Sequence, residues 1–406
     1  MQTAARRLGF SPARLSRLDE FIQRRYLDSG RFPGAVTMIA RRGEMAHVSV
    51  QGLADVERAT PLCEDAIFRI YSMTKPITSV AFMMLAEEGR VALEDPVAAY
   101  IPAWKDLGVF VAGLPGAFLT RRPERPMQII DLLRHTSGLT YGFQSRTNVD
   151  AAYRKAGVGE MTTKMPLAEM ITALAAMPLE FSPGEAWNYS VSTDVLGYLV
   201  EVISGRPFAD FVRERITEPL AMADTAFFVP PQKADRLVAC YTRGEDGRLK
   251  LQDDPKASAY LAPPTFYSGG GGMVSTGADY MAFANMLRAG GRAGKERLLS
   301  RKTLALMTAN HLPGGGDLTQ LSRSLFSESI YAGVGFGLGF AVLTDPAKAM
   351  LPSSAGEFYW GGAASTAFWV DPAEDLAVVF LTQLIPSTTY PIRRELRTLI
   401  YAAMDD

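Results

Sequence analysis

Histidine is scarce in this chain. His47, His135 and His311 are the only three in 406 residues. A Ser-His-Asp hydrolase would have to recruit one of them, and no Gly-x-Ser-x-Gly serine elbow is present. Cysteine is rarer still. Cys63 and Cys240 stand far apart with no Cys-x-x-Cys, a pattern expected of two reduced thiols rather than a disulfide. There is no His-Glu-x-x-His and no cluster of His, Cys and carboxylate at metal-ligand spacing, so neither a metal nor another cofactor is expected. A phosphate-binding glycine loop is also missing. The glycines from Gly333 to Gly339 alternate with Val, Phe and Leu and read as a strand and turn. Neither sign of charge dominates. With 42 basic and 43 acidic residues the net charge is -1, which argues against nucleic acid as a partner. No apolar run reaches the roughly 18 residues of a membrane span. The first residues lack an apolar stretch of signal-peptide length, which makes a cytoplasmic location the expectation.

What is present is a globular composition, 48% hydrophobic and 21% charged, in a chain long enough for about two domains. The first section has a helical pattern of Leu15, Leu18, Phe21, Ile22 and Tyr26. Strand candidates follow at 34–40, 45–51 and 66–70, then a helix from about Met73 to Gly89. The middle section carries helical patterns at 127–134, 166–176, 193–204 and 208–216, with few strand signals. The last section returns to strands at 337–343, 357–360, 365–370 and 376–382, preceded by a helix near 280–289 and closed by one at 391–404. Short turns between those strands imply an antiparallel sheet. The reading is therefore α/β plus α: residues 1–95 and 265–406 form a sheet domain flanked by helices, and 96–264 a mostly helical insertion, with the site between them.

Ser72-Met73-Thr74-Lys75 is the segment that carries chemistry. A serine and a lysine three apart at a helix start share one face. Serine is a weak nucleophile until a neighbour removes its proton, and a lysine can do so once burial has lowered its pKa from about 10.4. Such a pattern arises about once by chance in a chain of this length, so it needs company. Tyr189, in a loop just before a helix, is the candidate second member. A phenol beside an ammonium is expected to ionise more readily. Trp360-Gly361-Gly362-Ala363 is a strand end with two glycines, where backbone can approach a substrate closely. The N–H of Ser72, free at a helix N-terminus, and one from this turn are candidate oxyanion donors.

Taken in order, Ser72-x-x-Lys75, Tyr189-Ser190 and Trp360-Gly361-Gly362 resemble the serine β-lactamase and penicillin-binding-protein fold. The closest likeness is to the class C branch and its family VIII carboxylesterases. His135-Thr136-Ser137-Gly138-Leu139 and Phe181-Ser182-Pro183-Gly184-Glu185 match further segments of that family. The resemblance runs from Gly34 to the last helix. It implies a serine carboxylesterase acting on short-chain or aromatic esters, with Ser72 as nucleophile and Lys75 with Tyr189 as general base. It further implies oxyanion donors at Ser72 and Ala363 and a pocket lined by Trp360, Gly361, Gly362 and Tyr141. Two departures separate the branches. Class C β-lactamases carry Tyr-x-Asn where this chain has Val191, and Lys-Thr-Gly where it has Trp360-Gly361-Gly362. A lysine there holds a substrate carboxylate by a charge-assisted hydrogen bond, and a tryptophan cannot. A neutral ester is therefore the expected small-molecule partner. A β-lactamase, a D-amino-acid peptidase and an acyltransferase remain alternatives on the same fold, and oligomeric state is left open.

Overall fold

Eight strands, drawn from both ends of the chain, make one antiparallel sheet. The computed structural model describes residues 2–160, 164–324, 326 and 328–405. Across the sheet the order is Val334–Phe336, Ala341–Leu343, Phe358–Gly361, Ala367–Asp371, Leu376–Leu381, Gly34–Arg41, Glu44–Asp55 and Thr60–Pro61. The first long strand joins the two halves. Gly34–Arg41 pairs on one side with Leu376–Leu381, placing Val36 opposite Leu381, and on the other with Glu44–Asp55. Every residue of Gly34–Arg41 is buried, as both faces of a central strand require when helices cover them. One face packs on the helix Gly277–Arg288. The terminal helix Ile392–Ala402 packs against Pro12–Ile22.

The helix Thr74–Glu87 is the other organising element. From Thr74 to Leu85 its residues are buried, so it is a core helix with no solvent face along that length. It packs on Ser192–Ser204, the helix that follows Tyr189. A single turn of tighter helix, Tyr71–Met73, leads into it. The strand expected at 66–70 is only Phe68–Arg69, paired with Val274–Ser275.

The middle section holds more strand than its sequence suggests. Val109–Leu114 and Ala117–Arg121 form a hairpin whose turn carries Gly116 at φ 97°. Cys240–Arg243 and Leu249–Asp253 form a second hairpin, and Cys240–Arg243 also pairs in parallel with Leu384–Ile385. The second hairpin, counted by sequence with the helical insertion, thus shares hydrogen bonds with the chain that leaves the main sheet. The stretch 337–343, expected as one strand, is a turn at 337–340 followed by the short strand Ala341–Leu343, which pairs back on Val334–Phe336. Gly339 sits at φ 99° and the Gly337 N–H donates to the Phe340 carbonyl. Among the described residues no helix is long and apolar enough to cross a membrane, and no cluster of three His, Cys, Asp or Glu side chains is placed to hold a metal.

Candidate functional site

Ser72 lines a cleft of about 620 Å³. That lies within the roughly 300–1,000 Å³ usual for small-molecule sites. Tyr71, just before it, has φ 43°, a conformation bulky residues rarely adopt. The bend ends the short strand and begins the helix, so Ser72 projects at the junction. Lys75 lies one turn on, with its amine 3.5 Å from Ser72 Oγ. Its stronger hydrogen bonds go to the Gly270 carbonyl at 2.6 Å and the Tyr141 hydroxyl at 3.0 Å. Burial pushes the amine pKa down to about 8, while Asp194 and Glu328 pull it back up.

Tyr189 approaches from the opposite wall. Its hydroxyl donates to Ser72 Oγ at 2.7 Å. The Lys75 amine does not bond that hydroxyl; it sits over the phenol ring, 4.5 Å from the centroid. The expectation that the lysine would ionise this tyrosine is not met. Burial is the largest influence on Tyr189 and raises it well above the ordinary 10, with Glu328 adding to the rise and Ser72 opposing it. Tyr189 is therefore a neutral donor in this arrangement. The loop that holds it is fixed by packing and backbone bonds. Trp187 stacks near-parallel to it, the Tyr189 N–H donates to Ser324 Oγ at 2.6 Å, and Ser324 Oγ donates to Asn188 at 3.0 Å.

Ala363 borders the same cleft as Ser72. Its N–H and that of Ser72 have no backbone acceptor among the described residues. The glycines before it explain the approach. A Cβ on Gly362 would lie 2.3 Å from the Ile70 carbonyl, two residues before Ser72, so only glycine lets this turn close on the serine loop. Arg393 locks the turn from behind, donating to the carbonyls of Gly362 and Thr366 at 2.8 Å each.

Three expected pocket residues lie elsewhere. Trp360, Gly361 and Gly362 do not line the cleft. The Trp360 ring is 1% exposed and packs behind Tyr189, 5.5 Å between centroids, and edge-on to Phe336. Alternation along the Phe358–Gly361 strand turns this indole into the core. Gly361 instead faces the Arg393 guanidinium. Tyr141 does line the cleft, stacked on Phe143 and bonded to Lys75.

Other residues come to the site without a clear sequence signal. Asp194 is fully buried, accepts from the Gly270 N–H at 2.9 Å and takes the Ser268 hydroxyl. Burial raises its carboxyl and Lys75 draws it back down. In sequence it reads as an ordinary acid in the first turn of Ser192–Ser204. Gly270 has to be glycine here, since a Cβ would fall 2.6 Å from Asp194 and 2.7 Å from the Tyr141 hydroxyl. Phe143, Phe326, Ile385 and Pro386 add apolar wall, and Glu328 adds a carboxylate. His135, expected to be structural, is buried with its ring 5.2 Å from Tyr189 and Nδ1 3.2 Å from Ser190 Oγ. Burial holds it neutral, well below its ordinary pKa. His47 pairs with Asp19, and His311 bonds the Leu306 carbonyl.

Comparison with known proteins supplies the family context. The β-lactamase family matches residues 19–402. An uncharacterised protein of Mycobacterium tuberculosis is 35% identical over 366 residues, 89% of this chain and 88% of that protein. Esterase EstB of Burkholderia gladioli is 32% identical over 393 residues, 92% of this chain and 91% of the esterase. Among solved structures, EstCE1, described as a hydrolase with promiscuous acyltransferase activity, superposes with a TM-score of 0.80 at 26% identity. That match covers 96% of this chain and 99% of EstCE1.

Proposed function

We propose that this chain, which belongs to the β-lactamase family, is a serine carboxylesterase that hydrolyses short-chain or aromatic esters through an acyl-enzyme on Ser72. The observation that carries the reading is the meeting of three side chains at Ser72 Oγ, with Tyr189 at 2.7 Å and Lys75 at 3.5 Å. No imidazole is within reach of Ser72 Oγ by any described hydrogen bond.

The geometry divides the labour. Lys75, with a pKa near 8, is partly neutral at mildly alkaline pH and accepts the Ser72 proton as Oγ attacks the ester carbonyl. The oxyanion settles against the N–H groups of Ser72 and Ala363. Tyr189, held protonated by burial, donates to the departing alkoxide as the C–O bond breaks, and the Lys75 ammonium returns the proton taken from Ser72 to the Tyr189 phenolate through a water molecule. Water then loses a proton to the neutral Lys75 amine and attacks the acyl carbon; the acid leaves as Ser72 Oγ regains a proton, which the Lys75 ammonium supplies. Lys75 and Tyr189 thus act as one unit, the amine as acceptor and the phenol as donor. The apolar walls of Phe143, Phe326, Ile385 and Pro386 suit a neutral acyl or aromatic group.

The family alternatives differ in what they must hold. A β-lactam or peptide C-terminus presents a carboxylate, and the position that would hold it with lysine is here the buried Trp360. Mass spectrometry after treatment with a fluorophosphonate is expected to find the adduct on Ser72. Adduct at another residue, or none with an active enzyme, overturns the assignment. In parallel, a p-nitrophenyl ester is expected to be turned over far faster than a chromogenic cephalosporin. The reverse preference returns the chain to the β-lactamase reading. Acyl product formed only when an acceptor alcohol is added makes it an acyltransferase.

A further inference from the structure

Of the described aromatic side chains that border the cleft with Ser72, Phe143 is the most open, 54% exposed. A single exposed apolar residue is ordinary on a surface. This one stands inside a cleft and is held in place. One face of its ring stacks on Tyr141, 4.6 Å between centroids and 20° from parallel. The turn that carries it, Gly142–Gln144, is tied down by Arg154, which donates to the Gly142 carbonyl. Phe326, partly exposed on the same cleft, meets the Phe143 ring at 89° with 5.7 Å between centroids. The buried amide of Gln144 fixes that meeting. It accepts from the Phe326 N–H at 3.2 Å and donates to the carbonyls of Phe326 and Tyr189 at 3.3 Å each. Two phenyl rings at a right angle thus make a fixed corner inside the cleft.

We infer that the corner of Phe143 and Phe326 seats an aromatic ring of the substrate, so that the preferred esters carry an aryl group close to the ester rather than an alkyl group of the same size. The inference rests on the esterase reading and narrows its substrates. Aromatic rings attract one another in offset stacks or edge to face, and a right-angled pair offers an incoming ring both contacts at once. A saturated ring of equal size buries as much area but makes neither contact. The corner also lies near the reacting groups. Tyr141 bears Phe143 on its ring and the Lys75 amine on its hydroxyl. Tyr189 lies beside Phe326, 6.5 Å between centroids, with its hydroxyl on Ser72 Oγ. A ring in the corner is therefore about one phenol's length from the serine oxygen, which suits benzyl and phenylacetyl groups better than a ring on a long tether. Gln144 and Arg154 hold the two walls beforehand, so a ligand ring binds without the cost of ordering them.

Matched esters test this. Benzyl acetate is compared with cyclohexylmethyl acetate for the alcohol side, and p-nitrophenyl phenylacetate with p-nitrophenyl cyclohexylacetate for the acyl side. Each ratio of kcat/KM is corrected for the esters' rates in hydroxide alone. The wild-type protein is expected to favour the aromatic member of one pair by about 5-fold or more. Phe143→Leu keeps an apolar side chain at an exposed position and removes the ring, and the ratio is expected to fall to about one. Phe326→Leu is expected to do the same from the other wall. A role confined to packing would lower both esters of a pair together and leave the ratio intact, so a ratio that survives either substitution overturns the inference. So does a wild-type ratio near or below one in both pairs, a result that needs no variant. Failure of the esterase reading itself looks different: none of the four esters is cleaved and no adduct forms on Ser72.

Discussion

The Tyr189 hydroxyl points its proton at Ser72 Oγ across 2.7 Å. A donor in that position cannot take the serine proton in the same state, so the mechanism we propose assigns that proton to the amine of Lys75.

Ser72→Ala removes the bond-forming oxygen. Esterase activity is expected to fall by about 10⁴-fold or more, as for nucleophiles that act within a unit. Initial rates on a p-nitrophenyl ester check it, and activity above a tenth of wild type excludes Ser72.

Tyr189→Phe keeps the ring stack with Trp187 and loses only the hydroxyl. The expected effect is a fall in kcat of about 10²-fold or more with KM little changed, because the phenol acts as the bonds rearrange rather than on bound substrate. A rise in KM alone would make Tyr189 a wall of the pocket.

The pH dependence follows from Lys75. Its pKa is lowered to about 8, so the neutral, active form grows as pH rises through that value. kcat/KM is expected to climb between about pH 7 and 9 with a midpoint near 8. Lys75→Arg, which cannot lose its proton, is expected to be inactive across the range.

Asp194 moves that midpoint. Its charge favours the Lys75 ammonium and so raises the lysine pKa. Asp194→Asn removes the charge, and the midpoint of the pH–rate profile is expected to shift to lower pH. A profile shifted upward or unmoved would leave Asp194 with a structural role only.

Gly362→Ala introduces a Cβ 2.3 Å from the Ile70 carbonyl. Relief requires the turn that carries Ala363 to move away from the Ser72 loop. A loss of kcat by about 10²-fold is expected from one displaced oxyanion donor. Fluorophosphonate labelling of Ser72 reports whether the serine loop itself survives.

How much of this was legible varies by element. The central strand Gly34–Arg41 and the helix Thr74–Glu87 are mostly apolar, with Val80–Ala86 an unbroken run, and their sequence announces burial. The 109–121 hairpin was missed because its residues are largely exposed and its alternation is blurred by alanine and glycine. The motif at Trp360 suggests a pocket residue, but pleat alternation turns the ring inward, and of this turn only Ala363, after the two glycines, borders the cleft. Asp194 and Glu328 were not legible at all. One reads as a helix-start acid, the other as a polar residue in a serine-rich loop.

By itself the sequence determined the pairing of Ser72 with Lys75, because three residues on a helix are neighbours whatever surrounds them. Tertiary structure decided what the pair can do. Tyr189 arrives from 117 residues away, Gly270 and Tyr141 anchor the amine, and the surrounding walls strip it of water until its pKa falls to about 8. Proton affinity in a buried site is set by solvent exclusion and by charges from distant segments, and neither is written in any local run of residues.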